Sequence, residues 1–261
     1  MPTISLKDKV VHYRFDETAG PQRPVLIFSN SLGTDLSMWD AQVAALAMKY
    51  RILRYDTRGH GKSTCHESSL SISALGQDVI DLMDVLQIPT ASFCGLSMGG
   101  MIGTYLAINA QARFEKFILS NTNAFTAHPD FWQKRIETLL YDGGIATIAD
   151  GVMARFFSPE FTAKSPSVVL GFKQQMLSTD LAGYVACCSA IRDMDFREGL
   201  SEIQTPTMVI SGKKDQASPP ENGIYLSNGI FKSRYLELDA AHISNVELPE
   251  QFSKAIEEFL G

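Results

Sequence analysis

The stretch Cys94-Gly95-Leu96-Ser97-Met98-Gly99-Gly100 lies between an apolar run and a helical one, and its reading decides the fold. Gly95, Ser97 and Gly99 spell G-x-S-x-G, the sequence form of a nucleophile elbow. A serine on a sharp strand-to-helix turn is pushed out of the sheet, and the residues two before and two after must be small for strand and helix to approach closely. The turn also aims the Met98 N–H, at a helix N-terminus, toward any negative charge that forms beside the Ser97 hydroxyl. One turn therefore offers a nucleophile and half an oxyanion hole.

G-x-S-x-G alone arises by chance in about one chain in ten of this length, so its surroundings carry the weight. Thr90 to Cys94 reads as a strand after the Ile88-Pro89 break, and Met98 to Ala110 reads as a small-residue apolar helix. Upstream, Val10 to Phe15, the apolar run Pro24 to Ser29 and Arg51 to Tyr55 read as strands, the last ending in Asp56-Thr57-Arg58-Gly59-His60-Gly61. Helical spacing follows at Trp39, Val43 and Leu46, and again at Ile72, Leu75, Val79, Leu82 and Leu86. Strand alternating with helix implies an α/β fold with a doubly wound, mostly parallel sheet.

After a strand at Phe114 to Ser120 the alternation stops. Asn123 to Leu200 holds helix-like stretches near 130–142, 145–157, 166–177 and 180–193 and no convincing strand. We read 123–200 as a helical cap inserted into a core domain made of 1–122 and 201–261. The cap is rich in large apolar residues, including Phe125, Phe131, Trp132, Phe156, Phe157, Phe161 and Phe172, of which a minority should line a pocket. Alternation resumes with Thr207 to Ser211, a helical stretch from Pro219, a strand at Arg234 to Leu238 and a closing helix from Pro249 to Leu260.

The 261 residues carry a formal charge of −6, which speaks against a nucleic-acid footprint. No apolar stretch approaches the roughly 18 residues of a membrane helix, and Met1 to Gly20 lacks the pattern of a secretory signal, so the expectation is cytoplasmic. The cysteines at 65, 94, 187 and 188 have no C-x-x-C spacing and the five histidines form no ligand pair, so reduced thiols and no metal are expected. Self-association into a homo-oligomer is left open.

In open α/β sheets ligands bind beyond the carboxyl ends of the strands, and Ser97, Asp215 and His242 all follow strands there. Neutral His242 can take the serine's proton near pH 7, and a buried Asp215 would fix its tautomer and stabilise the imidazolium. Asp56 and Asp239 are rival acids, the first explained by an Asx turn and the second by its place at a strand end. His60 is the rival base; its ordinary reading is a turn residue bonded to backbone. The second oxyanion donor should come from the loop after the Pro24–Ser29 strand, and the Leu32 N–H is the choice there, with Met98 as its partner.

These residues carry a resemblance. The whole chain is similar to the α/β-hydrolases, and Ser29-Asn30-Ser31-Leu32-Gly33-Thr34-Asp35 with Ala240-Ala241-His242-Ile243-Ser244-Asn245 resembles the 3-oxoadipate enol-lactonases more narrowly. The resemblance implies a serine hydrolase of the β-ketoadipate pathway of aromatic catabolism, which opens a small lactone through an acyl-enzyme without a cofactor. Such a substrate carries a free carboxylate, so the pocket should offer a cation. Arg135 and the neighbouring Trp132 are the candidates, with Lys134, Arg155 or Arg192 as alternatives. A carboxylesterase, perhydrolase or carbon–carbon bond hydrolase on the same scaffold is the competing reading, and a non-catalytic small-molecule receptor comes from a different class.

Overall fold

Runs of apolar residues with no polar face can only be satisfied inside a sheet covered on both sides, and that is where they lie. The computed structural model describes residues 2–6 and 9–261; Met1, Lys7 and Asp8 of the expected core segment 1–122 lie outside the described residues. The strands are β1 (Thr3–Leu6), β2 (Lys9–Asp16), β3 (Val25–Ser29), β4 (Arg51–Tyr55), β5 (Ala91–Leu96), β6 (Phe114–Ser120), β7 (Thr207–Gly212) and β8 (Arg234–Leu238). They form one sheet in the order β1-β2-β4-β3-β5-β6-β7-β8. The pairings of β1 with β2 and β2 with β4 are antiparallel, and every other pairing is parallel. All residues of β3, β5 and β7 are buried.

Register assigns the two faces. Ile27 pairs with Phe93 and Phe28 with Cys94, so each pair shares a face. On one face Phe28 stacks on Trp39 at 4.5 Å, and Trp39 meets Phe252 of helix Pro249–Leu260 at 6.1 Å. On the other, Phe93 and Leu119 lie against Gly103 of helix Met98–Asn109, where an added Cβ would come within 2.9 Å of either side chain. Burying each such Phe or Leu contributes about 1.5–3 kcal/mol.

The helices are α1 (Asp40–Leu46), α2 (Ile72–Val85), α3 (Met98–Asn109), α4 (Pro129–Tyr141), α5 (Ala146–Phe156), α6 (Pro159–Lys164), α7 (Pro166–Leu177), α8 (Leu181–Arg192), α9 (Pro220–Gly229), α10 (Ser244–Glu247) and α11 (Pro249–Leu260). Helices α4 to α8 form the cap, between β6 and β7, which lie side by side in the sheet. The structure departs from the sequence reading in several places, α10 among them. The short edge strand β1 pairs with β2, β5 runs on to Leu96, and α6 adds a cap helix whose N-terminus is capped by the Ser158 side chain. The cap is anchored by an approach of backbone to backbone: a Cβ on Gly59 would lie 2.4 Å from the Gly183 Cα of α8, and the reverse holds too.

Candidate active site

The sheet register brings five strand ends to one edge, and each is followed by a residue that faces or supports one cavity. Ser97 follows β5 with φ 57° and ψ −116°, a conformation that costs an L-residue energy and lifts its side chain off the sheet. Gly95 and Gly99 permit it: an added Cβ would lie 2.1 Å from the Gly99 carbonyl oxygen in the first case and 2.2 Å from that of Ser29 in the second. Asp215 follows β7 and His242 follows β8; both are buried, and Nδ1 of His242 lies 2.8 Å from Oδ2 of Asp215.

The Asp215 carboxylate is fully engaged. Oδ1 accepts the N–H groups of Ala217 and Ser218, both at 2.8 Å, and Oδ2 accepts from His242 and from Nδ2 of Asn121 at 3.0 Å. Asn121, with φ 48° at the end of β6, takes the Ser244 hydroxyl on its own Oδ1 at 2.6 Å. Asn245 then donates to the Met38 carbonyl at 2.8 Å and to Gln42 at 3.1 Å. Ser244 and Asn245 thus clamp the histidine loop to the acid on one side and to the start of α1 on the other.

Ser97 and His242 line the same cavity, of about 470 Å³, together with Leu32 and the cap residues Phe131, Trp132 and Phe156. Among the described residues no hydrogen bond joins Ser97 Oγ to His242; the hydroxyl and the imidazole face a common space, and such bonds often tighten only with substrate bound. Phe156 packs on the His242 ring at 5.2 Å, and its carbonyl accepts the Ile243 N–H at 3.0 Å, which ties cap to histidine loop.

Two amides border Ser97 without an acceptor among the described residues, those of Leu32 and Met98, while their neighbours are committed. Ser31 N–H donates to Met38 Sδ at 3.4 Å and Gly33 N–H to His60 Nε2 at 2.9 Å; Ser97 N–H donates to the Ser120 carbonyl at 2.9 Å and Gly99 N–H to that of Asn30 at 3.0 Å. A pair of N–H groups left over beside a serine hydroxyl is the donor set an oxyanion requires.

The rivals are accounted for. Asp239 is exposed and pairs with Lys214. Asp56 makes long-range bonds in place of the expected Asx turn: it accepts His12 Nδ1 at 2.6 Å, the Leu36 N–H at 2.8 Å and the Lys62 N–H at 2.9 Å. His12 of β2 is Asp56's buried partner. Of the cap cations, Lys134 is exposed and outside the cavity, and Arg192 is engaged by Asp193 and Gln133. Arg135 and Arg155 both line the cavity, and among the described residues neither has a carboxylate partner. Arg135 lies 4.8 Å over the Phe131 ring and 5.0 Å over Trp132, and Arg155 lies 5.5 Å over Phe131. Burial, and then the charge of Arg135, lowers the proton affinity of Arg155. The pairing of two arginines was not legible in the sequence, where Arg155 stood only as an alternative to Arg135.

The family described as alpha/beta hydrolase fold matches residues 24–249. The chain is 41% identical to 3-oxoadipate enol-lactonase 2 of Acinetobacter baylyi over 98% of its own length and 94% of the relative's. The chain belongs to the α/β-hydrolases, in their enol-lactonase branch. It is 38% identical to 3-oxoadipate enol-lactonase 1 of the same organism, over 92% of this chain and 90% of that one. The crystal structure of the enol-lactonase from Burkholderia xenovorans superimposes with a TM-score of 0.96 at 41% identity, covering 99% of each chain. The chain is therefore an ester hydrolase that acts on small molecules. Among the described residues no helix is long and apolar enough to cross a membrane.

Proposed function

We propose that the protein opens 3-oxoadipate enol-lactone to 3-oxoadipate, with Ser97 as nucleophile, His242 as base and acid, Asp215 as its orienting partner and the Leu32 and Met98 amides as oxyanion hole. The observation that carries this reading is the cavity itself: Ser97 and the Asp215-paired His242 on its floor, and two arginines without carboxylate partners among the described residues in its roof. The relatives supply the name of the substrate; the roof supplies a reason for its charge. On this reading Arg135, with Trp132 beside it, takes the free carboxylate of the lactone, Arg155 adds to the positive field there, and 123–200 acts as the cap that closes over the ring.

The chemistry balances without a cofactor. Ser97 Oγ forms a bond to the ring carbonyl carbon as His242 Nε2 takes the hydroxyl proton, and the carbonyl oxygen becomes an oxyanion facing the two amides. Collapse breaks the bond between that carbon and the ring oxygen. The departing enol oxygen receives the proton from His242, and the enol becomes a ketone. Water, giving its proton to His242, attacks the Ser97 ester; the serine oxygen leaves and recovers that proton, and the product carries two carboxylates.

Multiple-turnover hydrolysis of 3-oxoadipate enol-lactone, compared with p-nitrophenyl acetate and a neutral five-membered lactone, tests the reading. A kcat/KM for the enol-lactone about 10–10²-fold above both comparison substrates is expected, the size of a charge-assisted contact of about 1.5–3 kcal/mol. Equal rates on all three would remove the named substrate.

A further inference from the structure

We propose that His60 is a positioning residue of the oxyanion hole: as a neutral imidazole it holds the Gly33 amide, and through that peptide it sets the direction of the Leu32 N–H. The reading rests on Leu32 and Met98 as the oxyanion donors.

Both ring nitrogens of His60 have backbone partners that leave no choice of tautomer. Nε2 lies 2.9 Å from the Gly33 nitrogen, which can only donate, and Nδ1 lies 2.9 Å from the Arg58 carbonyl oxygen, which can only accept. The proton is therefore on Nδ1, and Nε2 offers its lone pair to Gly33. The ring is fully buried, with Tyr184 of the cap 6.2 Å away. Burial keeps the imidazole proton affinity below its ordinary value, outweighing the Arg58 carbonyl and the charges of Asp56, Asp35 and Asp180, which favour the charged form. An imidazolium would set an N–H against the Gly33 N–H.

What His60 fixes is the far side of a tight turn whose near peptide is closed by Thr34: the Ser31 carbonyl accepts the Thr34 N–H at 3.3 Å and the Thr34 hydroxyl at 2.8 Å. Gly33 has φ 77°, and Leu32 sits between the amides of Ser31, held only by a sulfur, and of Gly33, held by His60. The peptide planes on either side of Leu32 share its Cα, and the Thr34 donors that hold the Ser31 carbonyl lie beyond Gly33 in the chain, so loss of the Gly33 bond lets the turn shift and the Leu32 N–H leave its direction. The Met98 donor stands on the first turn of α3 and is independent of this contact. His60 is itself anchored: Nε and Nη2 of Arg58 bond both carboxylate oxygens of the buried Asp78 of α2, at 2.5 and 2.6 Å, and so hold in place the segment whose carbonyl accepts from His60.

The test uses His60→Phe, which keeps volume and loses the acceptor, and His60→Gln, whose amide oxygen can accept from Gly33 but takes no proton. Hydrolysis of p-nitrophenyl acetate reads the chemistry alone, and a trifluoromethyl ketone, whose adduct with Ser97 carries an oxyanion, is compared with its methyl ketone. His60→Phe should lower kcat by about 10²-fold with KM changed by less than about twofold, and should weaken the trifluoromethyl ketone by the same factor as kcat. His60→Gln should restore kcat to within about fivefold of the parent. A folded His60→Phe with parental kcat and inhibitor affinity, or a rise in KM alone, overturns the proposal. If the trifluoromethyl ketone binds the parent no better than the methyl ketone, the oxyanion-hole reading itself fails. Should the Phe variant not fold, ¹⁵N spectra of the parent decide: the His60 ring should show the neutral tautomer protonated at Nδ1, unchanged as pH falls through the ordinary imidazole value of about 6.5. Protonation at Nε2, or titration there, overturns the assignment.

Discussion

The floor and the roof of the cavity are built on opposite principles. On the floor the acid is saturated: the Asp215 carboxylate accepts four hydrogen bonds, and Asn121, Ser244 and Asn245 brace the loops around it. In the roof, Arg135 and Arg155 face the cavity over aromatic rings with no carboxylate opposite either among the described residues. The floor is therefore preorganised for one reaction, because its polar groups cannot reorient without losing a buried bond. The roof is poised for a ligand that brings the missing negative charge.

The floor should break first and hardest. Ser97→Ala should lower kcat by about 10⁴–10⁶-fold while leaving thermal stability near that of the parent, since the lost hydroxyl faces the cavity. Asp215→Asn should cost about 10⁴-fold, because the amide would present a donor to His242 Nδ1 and favour the wrong tautomer. Initial-rate kinetics on p-nitrophenyl acetate reads both; activity of Ser97→Ala within about 10²-fold of the parent would remove the nucleophile assignment.

Damage to the roof should be smaller and of a different kind. Arg135→Ala should raise KM for the enol-lactone by about 10–10²-fold and leave hydrolysis of an uncharged ester nearly unchanged. Arg155→Ala should act in the same sense and by less. If Arg135→Ala depresses the charged and uncharged substrates alike, the arginine supports the cap and does not read the carboxylate.

The same division governs what could be read from the chain. The floor depends on short-range requirements that leave marks in sequence: small residues two before and two after Ser97, apolar runs for strands buried on both faces, and a site residue soon after each strand. The roof depends on how helices pack, and no spacing says that Arg135 of α4 and Arg155 of α5 face one space. Helix α6 had a legible signal in Ser158-Pro159, an N-cap followed by proline, and the longer apolar spacings on either side obscured it. His60 was legible as a turn residue bonded to backbone, and its Nδ1 bond to Arg58 is of that kind. Its bond to Gly33, 27 positions away, is tertiary and left no mark in sequence.

Where roof meets floor, Gly183→Ala should cost about 1–3 kcal/mol, since the new Cβ would lie 2.4 Å from the Gly59 Cα with no side chain to give way. Denaturant unfolding measures it, and a parental midpoint would mean that the cap rides on the core more loosely than this contact implies.

The smallest expected effect sharpens the contrast through pH. His60 is buried neutral, so its folded proton affinity is depressed, and between that depressed value and about 6.5 the unfolded chain binds more protons than the folded one. Stability from this group is complete above about 6.5 and is lost as pH falls from there through the folded value, at no more than about 1.4 kcal/mol per pH unit. His60→Gln lacks the proton site and therefore this loss, while the other ionisable groups are common to both proteins and cancel. The stability of the parent relative to His60→Gln, from urea unfolding, should fall as pH is lowered from about 7.5 toward 5. A difference that stays constant over that range would mean that the imidazole titrates alike in both states, and one that rises as pH falls would mean that it is charged in the folded protein; in either case the floor would lose the buried neutral base that its oxyanion turn requires.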